Sequence, residues 1–499
     1  CRACCPRARS STISSASRWP EVVGLDAVTG KYLTSTWKEA AATYEVRGPG
    51  ETHDALVVAN CGATEAREAI DVAWSAFESW RTTTAFERAN LLRRWYDAIM
   101  EHVELLAATM TREMGKPIKE SRGEVAYAAS FIRWYEGEAT RVYGETFPTA
   151  FPHKRGFALR GPVGPVYGVT PWNFPAAMLT RKAAPALAAG CTFIAKPAEQ
   201  TPLTALLLAE LWREVGGPEG TLQVLPALDP VPVTRPMMED ARIRKVTFTG
   251  STEVGRLLYR QSAETIKKIS FELGGHAPFI VFEDADVDLA VRETIACKFR
   301  NAGQTCVCTN RIYVHESIAE SFTEKYVEAA SRLVLGDPND EATDVGPLVD
   351  AAGLAKVEDH VRDAIEQGAE VRLGGRAKNG LYYLPTVLTG VRPSMVLMQE
   401  ETFGPVAPIL TFSQEDEVLE VANATQYGLA AYVYTNDLGR AWRMAERLEY
   451  GIVGVNDGIP AAVYAPFGGV KQSGLGREGG PWGLEEYLEI RYVSMALPG

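Results

Sequence analysis

The stretch that decides the fold class is residues 245–255, which read KVTFTGSTEVG. A short apolar run, residues 245–248, is followed at once by a glycine turn and then by a helix-type pattern. Residues 192–199 (TFIAKPAE) have the same order of strand and turn. This alternation is typical of parallel α/β sheets, and such turns hold dinucleotides at the carboxyl edge of a doubly wound sheet. The glycine spacing is G-x-x-x-x-G, so the signal is weak when it stands alone.

The α/β pattern extends in both directions from this stretch. Apolar runs at residues 163–169 and 279–282 predict further strands, and residues 291–300 predict a helix. Helical spacing of apolar residues predicts one helix over residues 63–80 and a second, longer helix over residues 85–114. We therefore expect an α/β protein.

Composition excludes several classes of protein. At about 150 residues per domain, the 499 residues predict two to four domains. The 51 basic and 63 acidic residues give a net charge of −12, which argues against nucleic-acid binding through bulk positive charge. Eight cysteines are too few for a secreted disulfide scaffold, and no apolar run approaches the roughly 18 residues of a membrane span. We expect no nucleic-acid partner and no membrane partner.

The first twenty residues differ from the rest of the chain. Residues 1–20 hold four arginines and five serines, and no acidic residue occurs before Glu21. This is the composition of a transit peptide, so residues 1–20 are predicted to be a targeting leader with the mitochondrial matrix as its destination. The alternative is an arbitrary upstream extension of a cytoplasmic protein.

A polar segment around Cys306 is the first candidate for chemistry. Residues 301–308 read NAGQTCVC. Main-chain amides and nearby positive charge favour the thiolate, so Cys306 is a candidate nucleophile. Taken alone, Cys306 is better described as a small buried hydrophobic residue, which is what most intracellular cysteines are.

Two further segments supply candidates for a base and an oxyanion donor. Glu272, in residues 270–275 (SFELGG), lies at a strand end, where desolvation raises the pKa of a carboxyl group towards that of a general base. Asn173, in residues 170–175 (TPWNFP), is held between prolines, and a fixed amide can donate to a developing oxyanion. The alternatives are a capping or solvated glutamate and a decorated turn.

Together these segments resemble the aldehyde dehydrogenase superfamily, in its non-acylating branch. The likeness covers residues 33–497, and its motifs occur in the family's order. They are PWNFP (171–175), KPAE (196–199), FTGST (248–252), ELGG (272–275), GQTC (303–306), ETFGP (401–405), PFGG (466–469) and SG (473–474).

The resemblance implies the aldehyde dehydrogenase fold, with a Rossmann-like cofactor domain, an α/β catalytic domain and a small β oligomerisation extension. A homodimer or homotetramer follows from it. The implied divisions after the leader are residues 21–143 and 165–273 for the NAD-binding domain, 274–472 for the catalytic domain, and 144–164 with 480–497 for the extension.

The resemblance also implies roles for single residues. Cys306 attacks the aldehyde carbon to form a thiohemiacetal, which becomes a thioester once hydride passes to the nicotinamide. Asn173 and the backbone N–H of Cys306 form the oxyanion hole, and Glu272 activates the water that hydrolyses the thioester. The cofactor residues implied are Trp172, Lys196, Pro197, Ala198, Glu199, Gly250, Ser251, Thr252, Glu253, Val254, Gly255, Leu273, Glu401 and Phe403.

Glu199 gives the cofactor preference a physical basis. Its carboxylate accepts hydrogen bonds from ribose hydroxyls and repels a 2′-phosphate. We therefore expect NAD to be favoured over NADP, with NADP as the alternative because the family uses both.

The finest match is to the succinate-semialdehyde dehydrogenases. It rests on residues 298–308 (KFRNAGQTCVC), 474–479 (GLGREG) and 486–490 (EYLEI). This match implies that Arg181 and Arg300 bind the carboxylate at the far end of the substrate, for which guanidinium groups are suited.

One loop departs from that subfamily. Ala461 and Ala462 stand where a serine is expected to bind the substrate carboxylate, a loss of about 1–3 kcal/mol of binding. Either Tyr464 compensates, or the pocket favours a longer ω-semialdehyde such as glutarate semialdehyde; a general aldehyde dehydrogenase is the remaining alternative.

Cys306 and Cys308 are separated by one residue, so a strained disulfide can form if the loop rearranges. The matching pair in the resembled subfamily acts as a redox switch, and the resemblance extends that hypothesis to this pair.

Other functions fit the sequence less well. The six histidines lie in no protease signature, which disfavours a thiol hydrolase, and no Cys/His cluster has metal-ligand spacing, so we expect no metal. An acylating dehydrogenase would not need Glu272. A catalytically inactive family member would not need Cys306, Glu272 and Asn173 together.

Overall fold

A computed structural model describes residues 24–50 and 55–498, so the predicted leader lies outside the described residues. The α-helices are α1 (Ala63–Trp80), α2 (Ala85–Glu101), α3 (Val103–Met114), α4 (Ile118–Ala139), α5 (Pro175–Ala189), α6 (Pro202–Glu214), α7 (Pro230–Glu239), α8 (Thr252–Ser262), α9 (Val287–Phe299), α10 (Ala319–Ser331), α11 (Ala351–Glu366), α12 (Val396–Gln399), α13 (Glu415–Asn423), α14 (Leu438–Arg447) and α15 (Gly480–Glu485).

The strands are β1 (Lys31–Leu33), β2 (Trp37–Glu39), β3 (Thr43–Val46), β4 (Leu56–Ala59), β5 (Glu145–Phe147), β6 (Lys154–Pro162), β7 (Val166–Val169), β8 (Phe193–Lys196), β9 (Leu222–Val224), β10 (Lys245–Thr249), β11 (Lys268–Glu272), β12 (Ala277–Val281), β13 (Thr309–His315), β14 (Glu370–Leu373), β15 (Ala377–Asn379), β16 (Tyr382–Tyr383), β17 (Thr386–Thr389), β18 (Val406–Phe412), β19 (Ala430–Tyr434), β20 (Ile452–Val455), β21 (Gly474–Leu475) and β22 (Leu488–Ala496).

The first large sheet has the strand order β2-β1-β9-β8-β7-β10-β11-β21. Its five central strands, from β9 to β11, are parallel and fully or largely buried, as expected for strands covered by helices on both faces. From β7 the chain winds outward through β8 to β9 and then returns to β10 on the other side of β7. The topological switch point therefore lies between β7 and β10, where α/β proteins bind their ligands.

The second large sheet has the order β14-β17-β18-β13-β12-β19-β20, and its strands are parallel except for the pairing of β14 with β17. Three short segments enter its central strands: residues 273–276 enter β12, residues 304–308 enter β13 and residues 400–405 enter β18. This amino-terminal edge supplies the second half of the site described below.

A separate sheet has the order β22-β6-β5. Strands β22 and β6 pair antiparallel over nine residues, and Ile490 and Tyr492 of β22 are exposed. The domain boundaries implied by the resemblance remain a prediction. Among the residues described, no helix combines the length and the apolar character needed to cross a bilayer.

The predicted helices form with one difference. Helix α1 has the predicted bounds, but the helix predicted over residues 85–114 is divided into α2 and α3 at His102, whose ψ of 23° is not helical. Apolar spacing continues through the break, so periodicity did not reveal it. Gly115 ends α3 at φ +75°, a conformation that glycine adopts without steric cost.

Helix α5 is buried along its whole length, because it packs between the first sheet and α2, α4 and α6. Its alanines let these neighbours approach closely. As a result, Arg181 and Lys182 of this helix lie in the interior with side chains no more than 1 % exposed, beside the switch point.

Candidate active site

A cavity of about 400 Å³ opens at the switch point. The chain after β7 brings Trp172 to it, and the chain after β10 brings Gly250. The loop before β13 brings Cys306 from the opposite side. The predicted site residues that line this one cavity are Trp172, Asn173, Gly250, Ser251, Leu273, Cys306, Glu401 and Phe403.

The segment before Cys306 has an unusual backbone. Asn301, Ala302 and Gly303 all have positive φ, at 51°, 54° and 74°. The left-handed conformation costs an L-residue such as Ala302 roughly 1–2 kcal/mol, so surrounding contacts must hold it in place. At Gly303 a side chain is also excluded, because a Cβ would lie 2.2 Å from the carbonyl oxygen of Gly404.

Gln304 fixes this segment with its side-chain amide. Its Nε2 donates to the carbonyl of Asn301 at 3.0 Å, and its Oε1 accepts from the N–H of Val349 at 2.9 Å. The predicted tight polar segment is thus a left-handed turn pinned by one buried amide, and it directs Cys306 into the cavity.

The Cys306 side chain is half-buried, and the charges of Arg181, Arg300, Glu272 and Glu401 all act on it. Burial raises its pKa to about 12, and the positive charges of Arg181 and Arg300 act in the opposite direction. Near neutral pH the group is therefore a thiol, and it has to lose its proton when it acts as a nucleophile.

Asn173 is 5 % exposed and lies against the Cys306 loop. Its Nδ2 donates to the carbonyl of Gln304 at 3.1 Å, and its own carbonyl accepts from Lys116 Nζ at 2.7 Å. Within the described residues, the N–H of Cys306 has no acceptor. The second N–H of the Asn173 amide and the N–H of Cys306 are thus donors of two residues that line one cavity, and an oxyanion hole needs such donors.

Glu272 ends β11 and is 3 % exposed. Burial raises its pKa well above the ordinary value, and the negative charge of Glu478 raises it further, whereas Arg181 lowers it. Its Oε2 has no hydrogen-bond partner among the described residues. A buried carboxyl group with a raised pKa and a free oxygen is suited to take up a proton as a general base.

Arg181 has a partner that the sequence did not reveal. Its guanidinium group forms a buried ion pair with Glu478, and Lys182 binds the other oxygen of the same carboxylate. Arg181 also lies over the ring of Phe467, with 4.1 Å to the ring centroid. Its charge is therefore matched within the protein, and Arg181 is not among the residues that line the main cavity.

Arg300 is in a different situation. It has no ion-pair partner among the described residues, its Nε is buried without a hydrogen-bond acceptor, and it lies over the ring of Phe174 at 5.4 Å. A small cavity of about 10 Å³, room for roughly one water, separates it from Ala461 and Val307. A half-buried guanidinium group that has no carboxylate within ion-pair distance among the described residues is suited to bind an anionic ligand.

Lys196 and Glu199 lie at the carboxyl end of β8. Their charged groups are 3.5 Å apart; the Lys196 side chain is 3 % exposed and that of Glu199 is 39 % exposed. Burial lowers the pKa of Lys196, while the charges of Glu199 and Asp229 oppose this effect. Asp229, which sequence reasoning missed, caps α7 through the N–H of Val231 at 3.0 Å.

Helix α8 begins at the turn predicted to bind pyrophosphate. Ser251 caps it by accepting from the N–H of Val254 at 3.3 Å, and the N–H of Gly250 donates to the carbonyl of Glu272 at 3.1 Å. At Gly255 a Cβ would lie 2.5 Å from Leu273, so a larger residue there would require the Leu273 side chain to move.

A groove of about 660 Å³ lies between α7 and α8, and no sequence pattern predicted it. Its lining is mainly apolar and includes Pro230, Val231, Val254 and Leu257. The groove suits a planar apolar base, the turn at Gly250 suits a pair of phosphates, and the main cavity suits a second ring. The residues present therefore fit a dinucleotide.

Glu401 and Phe403 also line the main cavity. Burial raises the pKa of Glu401 to about 7, and the N–H of Gly275, 3.2 Å from its Oε1, opposes this shift. Phe403 has φ +57° and packs edge-on against Trp172 with 5.6 Å between ring centroids. Lys356, which also lines the cavity, was missed from the sequence.

Cys308 is buried and unpaired. Its Sγ lies 3.4 Å from the carbonyl of Lys298, and its N–H donates to Thr305 at 3.0 Å, which closes a turn over Cys306. A disulfide with Cys306 would require this turn to open, so the redox switch stays a hypothesis.

The chain is similar to known proteins along most of its length. The model of the aldehyde dehydrogenase family matches residues 37–493. The chain is 49 % identical to the NADP⁺-dependent succinate-semialdehyde dehydrogenase of Escherichia coli K12, over 94 % of this chain and 97 % of that protein. It is 47 % identical to the glutarate-semialdehyde dehydrogenase of Pseudomonas putida KT2440, over 93 % and 97 %.

It is also 49 % identical to the mitochondrial succinate-semialdehyde dehydrogenase of Arabidopsis thaliana, over 93 % of this chain and 88 % of that one. The crystal structure of succinate-semialdehyde dehydrogenase from Burkholderia pseudomallei superposes with a TM-score of 0.92 at 48 % identity, covering 94 % of this chain and 98 % of that chain. The predicted fold is confirmed by this likeness.

Proposed function

The chain belongs to the aldehyde dehydrogenase family, and we propose that it oxidises succinate semialdehyde to succinate with NAD(P). The observation that carries this proposal is the single cavity in which Cys306 and Asn173 lie opposite the turn of Gly250 and Ser251. A nucleophile, an oxyanion donor and a phosphate-binding turn are thereby placed within reach of one substrate and one dinucleotide.

In the proposed reaction, Cys306 releases its thiol proton to solvent, and Sγ attacks the aldehyde carbon to form a C–S bond. The C=O π electrons move to the carbonyl oxygen, which becomes an oxyanion. This oxyanion accepts hydrogen bonds from Asn173 Nδ2 and the N–H of Cys306. When bound, the nicotinamide ring supplies the acceptor for the hydride that leaves the thiohemiacetal carbon. Glu272 then takes a proton from a water molecule while the oxygen of that water attacks the thioester carbon. The C–S bond breaks, the carboxylic acid leaves, and Cys306 is restored as a thiol.

We assign the substrate carboxylate chiefly to Arg300, with Arg181 as the second predicted anchor. Support for Arg300 comes from its buried, unpartnered Nε and from the lack of an ion-pair partner among the described residues. Arg181 already shares Glu478 with Lys182, so it has less free charge to offer a ligand.

A longer substrate such as glutarate semialdehyde is the second candidate. Ala461 lines the small cavity beside Arg300, so a hydroxyl group is missing where the substrate carboxylate would end. The cavity leaves room for about one water or for a further part of the substrate. The Pseudomonas putida relative that carries the glutarate-semialdehyde name is nearly as similar as the succinate-semialdehyde enzymes.

For the cofactor we propose a preference for NAD. The carboxylates of Glu199 and Asp229 both act on Lys196, so the ribose site has more acidic than basic groups. A 2′-phosphate would be repelled there. The Escherichia coli relative is named for NADP⁺, so the preference has to be measured for this chain.

We further propose a homodimer or homotetramer built through the sheet of β22, β6 and β5. Two observations support this assembly. Strand β22 exposes the side chains of Ile490 and Tyr492, and its outer edge has no neighbouring strand among the described residues.

Residues 1–20 keep their predicted role as a mitochondrial leader, and the named location of the Arabidopsis relative supports it.

A substrate panel tests the proposal. The rate of formation of reduced nicotinamide is measured with semialdehydes of four to six carbons and with uncharged aldehydes of the same lengths. We expect succinate semialdehyde to have the highest kcat/KM, and Cys306→Ala to abolish turnover. Equal kcat/KM values for charged and uncharged aldehydes would refute the substrate assignment, and full activity of Cys306→Ala would refute the mechanism.

A further inference from the structure

A buried lysine lies directly behind the Asn173 amide. Lys116 stands between α3 and α4, and its side chain is 0 % exposed. Its Nζ donates to the carbonyl of Asn173 at 2.7 Å, contacts Glu124, and lies 3.9 Å from the ring centroid of Phe174. The ammonium group thus holds the backbone of the residue whose side chain is the proposed oxyanion donor.

Glu124 extends this contact to the start of α5. Its Oε1 accepts from the N–H groups of Ala176 and Ala177 at 3.0 and 3.2 Å, and its Oε2 binds Lys116. Helix α5 has no side-chain cap of its own, so Glu124 satisfies its free amide groups. The ion pair therefore fixes both the carbonyl of Asn173 and the first turn that follows it.

The same network reaches the Cys306 loop. Asn301 donates through Nδ2 to the carbonyl of Asn173 at 3.2 Å, and its backbone N–H donates to Glu120 at 2.8 Å. Glu120 and Glu124 lie one turn apart on the same face of α4. This face therefore contacts both the segment that carries the proposed nucleophile and the segment that carries the proposed donor.

We infer that Lys116, together with Glu124, is a positioning residue that sets the direction of the Asn173 amide towards the oxyanion. This inference rests on the proposed function, because it takes Asn173 as the donor and Cys306 as the nucleophile. An amide displaced by about 1 Å loses on the order of a hundredfold in rate, so the position of this backbone carbonyl affects catalysis directly.

The test compares two reactions of Cys306 in the full-length protein at one pH. Acylation by 4-nitrophenyl acetate forms a C–S bond, passes through an oxyanion and releases 4-nitrophenolate. Alkylation by iodoacetamide forms a C–S bond and releases iodide without an oxyanion. Since both reactions need the same thiolate, the ratio of their rate constants reports the oxyanion donors and not the reactivity of the thiol.

We expect Lys116→Met to lower this ratio about 10- to 100-fold and Lys116→Arg to restore most of it. The benchmark is Asn173→Ala, for which the loss of a direct donor predicts about 100- to 1,000-fold. The matched control is Lys245→Met: Lys245 is also buried, 3.2 Å from Glu486 and 5.1 Å from the ring centroid of Tyr487, but it begins β10 at the end away from the cavity. Its ratio is expected to equal that of the wild type.

The outcomes separate the inference from the proposed function. If Asn173→Ala lowers the ratio and Lys116→Met leaves it unchanged, Lys116 has only a structural role and the inference is wrong. If Asn173→Ala leaves the ratio unchanged, the oxyanion assignment fails and the inference fails with it. If Lys116→Met does not fold, Glu124→Gln gives the same test, with the ratio again expected to fall at least tenfold.

Discussion

Replacing Arg300 by methionine should remove the preference for carboxylated aldehydes and leave the fold intact. Truncating one member of a buried, hydrogen-bonded charge pair costs about 2–5 kcal/mol of binding free energy. Because Arg300 is only half-buried, we expect its loss to weaken binding of the substrate carboxylate by about 2–4 kcal/mol. At about 1.4 kcal/mol per factor of ten, kcat/KM for succinate semialdehyde should fall about 30- to 700-fold. Methionine keeps the contact with Phe174, and no carboxylate within the described chain loses an ion pair, so the free energy of unfolding should change by less than about 1 kcal/mol.

The assay follows reduced nicotinamide with succinate semialdehyde and with butanal, which has the same carbon chain and no charge. For butanal, kcat/KM of Arg300→Met should stay within about threefold of the wild type, because the aldehyde end of the site is unchanged. Equal losses for both substrates, or no loss for either, would refute the assignment of Arg300.

Arg181→Met is the comparison variant. It leaves Glu478 with Lys182 alone in the interior, and breaking a buried pair of this kind costs about 3–5 kcal/mol of stability. We expect a lower melting temperature and a loss of activity that is similar for both substrates. A loss confined to succinate semialdehyde would instead show that Arg181 is the main anchor.

Three further predictions concern the base, the cofactor and the thiol pair. Glu272→Gln should keep the first-turnover burst of reduced nicotinamide and lower steady-state turnover about 100- to 10,000-fold. Because the pKa of Glu272 is raised in the folded protein, the rate of thioester hydrolysis by the wild type should increase as pH rises through that pKa. This increase with pH should be absent from the variant. A variant without a burst would place Glu272 before hydride transfer. The double variant Glu199→Ser with Asp229→Ser should raise the NADP to NAD ratio of kcat/KM at least tenfold, and an unchanged ratio would exclude both carboxylates as determinants. Peroxide should inactivate the wild type reversibly, with recovery in dithiothreitol; Cys308→Ala should not recover, and full recovery of that variant would exclude the Cys306–Cys308 disulfide.

Much of the fold could be predicted because its information is local. The runs at residues 192–195 and 245–248 are strands within one residue of their observed ends, since buried parallel strands are short apolar runs bounded by turns. The break at His102 was missed because it interrupts the backbone and not the apolar spacing. The left-handed turn at Asn301 and Ala302 was missed for another reason: neither residue prefers positive φ strongly enough to be recognised, and long-range contacts of Gln304 hold the conformation.

The candidate site shows the same division between local and long-range information. Cys306, Asn173 and the Gly250 turn each lie in a short motif that is weak alone and specific in combination with the others, and the structure brings them to one cavity. The partners that decide what each charge can do are far away in the chain: Glu478 is 297 positions from Arg181, and Asn173 is 57 positions from Lys116. Motifs therefore indicated which residues take part, whereas only the packing shows which of their charges are already matched.

This distinction bears on how an acidic protein can select an acidic substrate. The chain has a net charge of −12, so its average field repels a carboxylate, and selectivity has to come from single cations whose charge is not used within the fold. Of the two arginines whose charges act on Cys306, Arg181 forms an ion pair with a buried carboxylate, whereas Arg300 has none within ion-pair distance among the described residues, although its charge acts on Glu120. A matched cation stabilises the site before substrate arrives, whereas an unmatched, partly desolvated one gains its partner only when substrate binds. The free energy of that new contact is therefore available for recognition, and this is why the predicted loss for Arg300→Met is specific to charged substrates.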